Sequence, residues 1–136
     1  MKLCPIISKI IITLTVALIF ISPVSAMDDP GFTISRMVTS KSISDREPND
    51  TAVTFSAEDE TVYCFLEAKN IEFDTTVSFV WYFEGHEKAR VNVPLQKGMR
   101  WRTYSSKKLA EMKGSWKIEL QESSGIVLNT VSFQVE

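Results

Sequence analysis

One stretch of this chain, residues 100–108, combines cationic and aromatic side chains and is the clearest candidate for a binding site. Arginine binds carboxylates and phosphates through paired hydrogen bonds, and a tyrosine ring adds a stacking surface. The candidate binding residues are Arg100, Arg102, Tyr104, Lys107 and Lys108. They predict a site for an anionic partner, either a protein or an anionic component of the cell envelope.

Alternation along the same stretch separates outward from inward side chains. A β-strand here would place Arg100, Arg102 and Tyr104 outward, and the intervening side chains inward into a core. The inward set is Met99, Trp101 and Thr103. A purely structural interpretation of the cations stays open: they could pair with nearby carboxylates such as Glu111 and Glu119, or solvate a sheet face.

The sequence contains few residues that could carry out catalysis. A serine hydrolase needs a histidine base, and the single histidine, His86, lies in a predicted hairpin turn beside Glu84 and Glu87. Cys64 lies mid-strand among apolar residues, where a thiolate is disfavoured and a buried thiol is expected. Neither the cysteine and histidine content nor the acidic turns have the ligand spacing of a zinc or calcium site. We therefore predict no catalytic residue, no metal and no cofactor.

The N-terminus has the pattern of a secretory signal. Lys2 and Lys9 precede a mostly apolar run over residues 10–21, and a stretch that ends in small residues follows, up to Ala26. We predict a signal peptide over residues 1–26 and export to the bacterial periplasm or the extracellular space; a retained membrane anchor is the alternative. Cleavage would change the net charge from −2 to −4, which argues against a nucleic-acid partner. No stable membrane span is expected after cleavage.

Period-two patterns dominate the rest of the chain. They predict an all-β protein, an antiparallel immunoglobulin-like β-sandwich of about seven or eight strands. We assign residues 27–44 to an N-terminal leader and first strand, and residues 45–136 to the sandwich domain. Residues 39–50 are predicted to form a loop, and a short helical turn capped by Ser105 or Ser106 is predicted to end at Gly114.

Several motifs together resemble a known family. They are Arg46-Glu47-Pro48, Cys64-Phe65, Val80-Trp81-Tyr82 with Gly85, Trp101-Arg102-Thr103-Tyr104-Ser105-Ser106-Lys107, Gly114-Ser115-Trp116 with Gly125, and Phe133-Gln134-Val135. From Asp45 onward the chain resembles the bacterial domain of unknown function 2914 family. The resemblance implies an extracytoplasmic or membrane-tethered β domain with no assigned activity. Phe79 stands where the family pattern has a histidine, so no role is assigned to an imidazole there.

Three functions remain open from the sequence. The first is a non-catalytic exported β-sandwich that binds a protein or anionic envelope component through the basic face. The second is a carbohydrate-binding accessory module in which Tyr82 and Tyr104 form an aromatic platform. The third is a hydrolase that depends on His86. No oligomeric state is predicted.

Overall fold

The computed structural model describes residues 29–136, so the predicted signal peptide lies outside the described residues. Nine strands make up most of this part of the chain. They are β1 (Thr33–Ser44), β2 (Glu47–Thr51), β3 (Thr54–Phe55), β4 (Thr61–Ile71), β5 (Thr75–Phe83), β6 (His86–Leu95), β7 (Gly98–Lys108), β8 (Gly114–Glu122) and β9 (Val127–Val135). A 3-10 turn, Ala57–Asp59, lies between β3 and β4. Over residues 29–136, no helix has the length and apolar character that crossing a bilayer requires.

The strands form two sheets that pack face to face. One sheet, sheet A, has the order β2-β1-β4-β7, and the other, sheet B, has the order β3-β9-β8-β5-β6. All the pairings are antiparallel except that between β3 and β9, which is parallel and only two residues long. The prediction of an immunoglobulin-like β-sandwich of about seven or eight strands is confirmed, since β2 and β3 are the short additions at the sheet edges.

The core lies between the sheets and follows the period-two pattern of β4. Val62, Cys64 and Leu66 point inward and are fully buried. Phe65 points to the opposite face and is also buried, with the guanidinium of Arg36 over its ring at 4.8 Å. β4 is therefore covered on both sides, as its two apolar faces predict.

Two tryptophans tie the core together through hydrogen bonds. The indole N–H of Trp81, on β5, donates to the hydroxyl of Ser105, on β7, at 3.0 Å. This bond is buried and joins sheet B to sheet A. The indole N–H of Trp116 donates to the carbonyl of Met112 at 3.1 Å, and its ring stacks on Phe133 with centroids 5.7 Å apart. The N–H of a buried tryptophan usually has such an acceptor, because leaving it unpaired costs free energy.

The hairpin between β5 and β6 has the predicted tight turn. Glu84 and Gly85 both have positive φ, 46° and 80°. A two-residue turn with positive φ at both positions matches the twist of the flanking strands, and glycine adopts that conformation without strain.

The predicted loop over residues 39–50 was wrong. β1 continues to Ser44 and β2 begins at Glu47, with Asp45 and Arg46 forming the turn at φ 51° and 61°. The side chains here are polar because the hairpin is at the edge of sheet A. The hairpin is nevertheless a pair of strands, because its backbone groups are hydrogen-bonded between β1 and β2. Side-chain polarity gives no information about this pairing.

The predicted helical turn after Ser105 or Ser106 was also wrong. β7 continues to Lys108, and a turn follows at Ala110 and Glu111, whose φ angles are 48° and 58°. The side chain of Ser105 is buried in the core, where its hydroxyl accepts a hydrogen bond from Trp81. Its hydroxyl therefore does not cap a helix.

Met99 was expected to point inward and is instead 85% exposed. Gly98 pairs with Ile71 and Arg100 pairs with Lys69, which leaves Met99 beside Asn70. Asn70 has a φ of 52°, so the backbone beside Met99 departs locally from extended geometry, while the register of β4 with β7 is unchanged. From Trp101 onward the predicted alternation applies.

Candidate binding face on the outer side of sheet A

β7 places the predicted arginines and tyrosine on the outer side of sheet A. In the register with β4, Arg100 lies opposite Lys69, Arg102 opposite Glu67, and Tyr104 opposite Phe65. Paired residues share one face of a sheet, so the structure brings these three candidates together. We call this surface face A. Its defining residues are Arg36, Phe65, Glu67, Arg100, Arg102 and Tyr104.

Arg102 belongs to an ion network rather than standing free. Its Nη1 lies 2.6 Å from Oε1 of Glu47, at the start of β2. The same carboxylate accepts from Nη2 of Arg36 at 2.8 Å, and Arg36 also reaches Glu67 at 3.2 Å. The hydroxyl of Ser35 donates to Glu67 at 2.7 Å. The hairpin of β1 and β2 is thereby held against face A.

The network keeps both of its carboxylates charged. Hydrogen bonds from Arg36, and then from Arg102, lower the pKa of Glu47 below its ordinary value. The Ser35 hydroxyl, and then Arg36, lower the pKa of Glu67 in the same way. The bond to Glu47 raises the pKa of Arg36. Two arginines and two glutamates balance, so the network adds no net charge to face A.

Other cations of the region have no such partner. Within residues 29–136, no carboxylate lies within 4.0 Å of Arg46, Arg100 or Lys108. All three side chains are exposed. The charge that remains available on and around face A therefore comes from these residues and not from Arg102.

A cavity of about 390 Å³ opens between the β1–β2 hairpin and β7. It is lined by Ile43, Asp45, Arg46, Phe65, Arg102, Thr103 and Tyr104. Tyr104 is 49% exposed and packs against Tyr63 with ring centroids 5.8 Å apart. Face A thus combines an accessible aromatic ring, an apolar wall and two arginines around one opening.

The two lysine candidates lie toward the other end of β7. Lys108 is eight residues from Arg100, or about 27 Å along an extended strand. It lines a separate cleft of about 810 Å³ with Glu58, Glu60 and Glu111. The ammonium of Lys107 donates to the carbonyl of Lys108 at 3.2 Å. Four candidates, Arg100, Arg102, Tyr104 and Lys108, form a long stripe on the outer side of sheet A, whereas Lys107 pairs with the buried Val62 and lies on the opposite side of the sheet.

The expected carboxylate partners of the cations were wrong. Neither Glu111 nor Glu119 lies within ion-pair distance of a cation on β7; Glu119 is on β8 and pairs with Lys117 at 3.7 Å. The partner of Arg102 is Glu47, which is 55 residues away in sequence. Topology, not proximity along the chain, decides this pairing.

The outer side of sheet B, which we call face B, carries a different polar pattern. Its defining residues are Tyr82, Arg90, Lys117, Glu119 and Gln121. Arg90 donates to Glu87 at 2.8 Å and to Gln121 at 3.1 Å. Lys117 lies 4.7 Å from the centroid of Tyr82. Burial, and then a hydrogen bond with Glu119, raises the pKa of Tyr82.

Tyr82 and Tyr104 lie in different sheets and face outward on opposite sides of the sandwich. They cannot form one aromatic platform. A sugar that stacked on Tyr104 would meet Tyr63 and the cavity of face A instead.

Residues that could serve catalysis are far from a reactive arrangement. Cys64 is fully buried, and burial raises the pKa of its thiol; the prediction of a buried thiol is confirmed. His86 is exposed at the start of β6. In the described part of the chain, no three metal-ligating side chains cluster closely enough to hold a metal ion.

Sequence reasoning missed five contributors to face A: Arg36, Arg46, Glu47, Phe65 and Glu67. The interruption of an apolar alternation by Arg36 was a usable signal, because a charged residue at that position must face outward or find a carboxylate. Arg46, Glu47 and Phe65 all occur in the motifs that carry the family resemblance. Nothing in the sequence joins those motifs to Arg102.

The fold and its outer faces define an immunoglobulin-like β-sandwich domain. Residues 74–135, which run through β5 to β9, match the family described as protein of unknown function (DUF2914). The predicted resemblance to this family is confirmed over that segment. It includes Trp81, the stretch from Trp101 to Lys107, and Trp116. No curated protein matches the chain.

Solved structures with a similar fold include domains of β-glucosidases. The enzyme from Erythrobacter marinus is 8% identical over 77% of this chain, with a TM-score of 0.52. Those from Listeria innocua, bound to glucose, and Kluyveromyces marxianus are 13% and 14% identical over 76% and 77% of this chain, with TM-scores of 0.48 and 0.45. This chain spans only 14 to 15% of the length of these enzymes. The similarity to the enzyme from Erythrobacter marinus supports the sandwich fold and nothing further.

Proposed function

We propose that this domain is a non-catalytic, exported binding module that captures an anionic protein through face A. The observation that supports this most strongly is the exposed pair of Arg100 and Tyr104 on one strand. Arg100 has no carboxylate partner among the described residues, and Tyr104 is 49% exposed beside an open cavity. An unpaired guanidinium and an accessible aromatic ring on one strand face, about 13 Å apart along the strand, are groups that protein interfaces favour.

Glu47 supports the preference for anions. Its carboxylate sits between Arg36 and Arg102 with contacts of 2.8 and 2.6 Å, so face A already holds a carboxylate of its own chain. Because Glu47 already neutralises Arg102, the charge for a further carboxylate comes from Arg46 and Arg100, which have no carboxylate within 4.0 Å in residues 29–136. A partner's carboxylates would extend this arrangement toward Arg46 and Arg100.

Site-specific photo-crosslinking in the native host tests the proposal. A photoreactive residue at Ser106, exposed on the outer side of β7, should yield a defined crosslinked protein. The matched position is Asn92, exposed on face B, which should yield none. Adding Arg100→Glu should remove the Ser106 product, because the charge reversal repels an anionic partner. The same products from both positions, or products that persist with Arg100→Glu, would contradict the proposal.

A further inference from the structure

β7 is an edge strand with an unusual combination of length and composition. The sheets have four edges in the described residues, formed by β2, β7, β3 and β6. β3 has two residues, β2 has five and contains Pro48, and β6 contains Pro94. Proline cannot donate to a strand ladder and blocks addition at an edge. β7 has eleven residues and no proline.

The open side of β7 presents unpaired backbone groups. In an antiparallel pair, alternate residues direct their N–H and C=O groups to the neighbouring strand, and the residues between direct theirs away from it. β4 occupies one side of β7 along the whole length from Lys108 to Gly98. The other side has no strand partner in sheet A. An extended peptide could pair there and add to the sheet.

The charge of β7 decides which peptide that is. The strand carries Arg100, Arg102, Lys107 and Lys108 and has no acidic residue. A β7 strand of a second copy would place cations opposite cations, which destabilises cross-strand pairs. Cations on an edge strand are also a common means of preventing identical copies from associating. Glutamate or aspartate on one face of an incoming strand would instead meet Arg100 and Lys108, which share the outer side of sheet A.

Resting on the proposed function, we infer that the partner contributes an acidic segment in extended conformation, which adds to the open edge of β7 as a fifth strand of sheet A. The stripe of about 27 Å from Arg100 to Lys108 suits an extended segment better than a compact ligand. Backbone hydrogen bonds would pair the segment with β7. The cations and Tyr104 would determine which segments bind.

Backbone-modified peptides test the inference on the full chain by NMR. The probe is a capped peptide of about nine alternating glutamate and threonine residues, which would cover most of β7. Two further versions are N-methylated, one on the glutamate amides and one on the threonine amides. Because alternate amides point to one side of a strand, one version loses the ladder and the other keeps it. A peptide with lysine in place of glutamate is the charge control.

We expect the acidic peptide to protect alternate amides of β7 from exchange, one methylated version to bind about tenfold more weakly or worse, and the lysine peptide not to bind. Equal binding of both methylated versions would overturn strand addition and leave charge-based capture by face A in place. Absence of binding by the acidic peptide would also overturn strand addition; the crosslinking at Ser106 then decides the proposed function separately. Concentration-dependent protection of β7 without peptide would assign the edge to a second copy and overturn the inference.

Discussion

Face A and face B are the two outer surfaces of one sandwich, and they use their charges differently. On face B, Arg90 is bonded to Glu87 and Gln121, and Lys117 lies over Tyr82. On face A, Arg102 and Arg36 share Glu47, but Arg100 has no carboxylate partner in residues 29–136, and the ring of Tyr104, which packs on Tyr63, stays exposed. The comparison teaches that a cationic stretch leaves charge available for a partner only where the chain's own carboxylates do not occupy its cations, and this is why we propose face A as the binding surface.

Both faces depend on the hydrogen bond between Trp81 and Ser105, which joins the two sheets. Removing this bond should have the largest effect on the free energy of unfolding. Trp81→Phe removes the buried bond to Ser105 and leaves a cavity, which we expect to cost about 2–3 kcal/mol of unfolding free energy. Trp101→Phe is the matched control, because the buried indole N–H of Trp101 has no acceptor in the described part of the chain. It should cost less, since no hydrogen bond is lost. Urea unfolding measures both, and equal losses would contradict the role of the Trp81 bond.

The ion network of face A should stabilise more than the pairs of face B. Glu67 is buried and bonded to Ser35 and Arg36, so Glu67→Ala should cost about 1–2 kcal/mol. Glu119→Ala, on face B, removes a longer contact of 3.7 Å to a partly exposed lysine and hydrogen bonds from the neutral side chains of Gln121, at 3.1 Å, and Tyr82, and should cost about 1 kcal/mol or less. Urea unfolding of the two variants makes the comparison. A larger loss for Glu119→Ala would reverse it.

The network also predicts a dependence of stability on pH. The pKa of Glu47 is lowered in the folded state, so its contribution is present above its ordinary pKa of 4.5 and is lost as the pH falls through the folded value. Glu47→Gln should therefore flatten the fall in melting temperature between about pH 7 and pH 3. The control is Glu72→Gln, at an exposed residue with no ion pair in residues 29–136. Identical profiles for the two variants would show that the Arg36 and Arg102 bonds do not favour the charged form of Glu47.

The sequence predicted the sandwich because strand alternation is a local signal. One strand is enough to show the alternation of Val62, Cys64 and Leu66 with Phe65. One hairpin is enough to show the turn at Glu84-Gly85. The inward placement of Met99 was wrong, at a point where the backbone of the neighbouring Asn70 departs from extended geometry. The β1–β2 hairpin was missed because its polar residues resemble a loop.

The candidate site was predicted only in part, because strand alternation reports the face of a side chain but not its partners. Alternation was enough to place Arg100, Arg102 and Tyr104 on one face. It could not show that Arg102 is paired, since Glu47 reaches it only when the β1–β2 hairpin lies against sheet A. Nor could it show that β7 is an edge strand, which depends on the order of all the strands.

The most direct test of the account is a binding titration with one anionic probe and two charge reversals. Fluorescent poly-L-glutamate is titrated with the full chain, with Arg100→Glu, and with Lys88→Glu, a matched control at an exposed cation on the edge strand β6. We predict that Arg100→Glu weakens binding about tenfold and that Lys88→Glu changes it by less than about twofold. Equal weakening by both variants, or none by either, would contradict the assignment of face A as the binding surface.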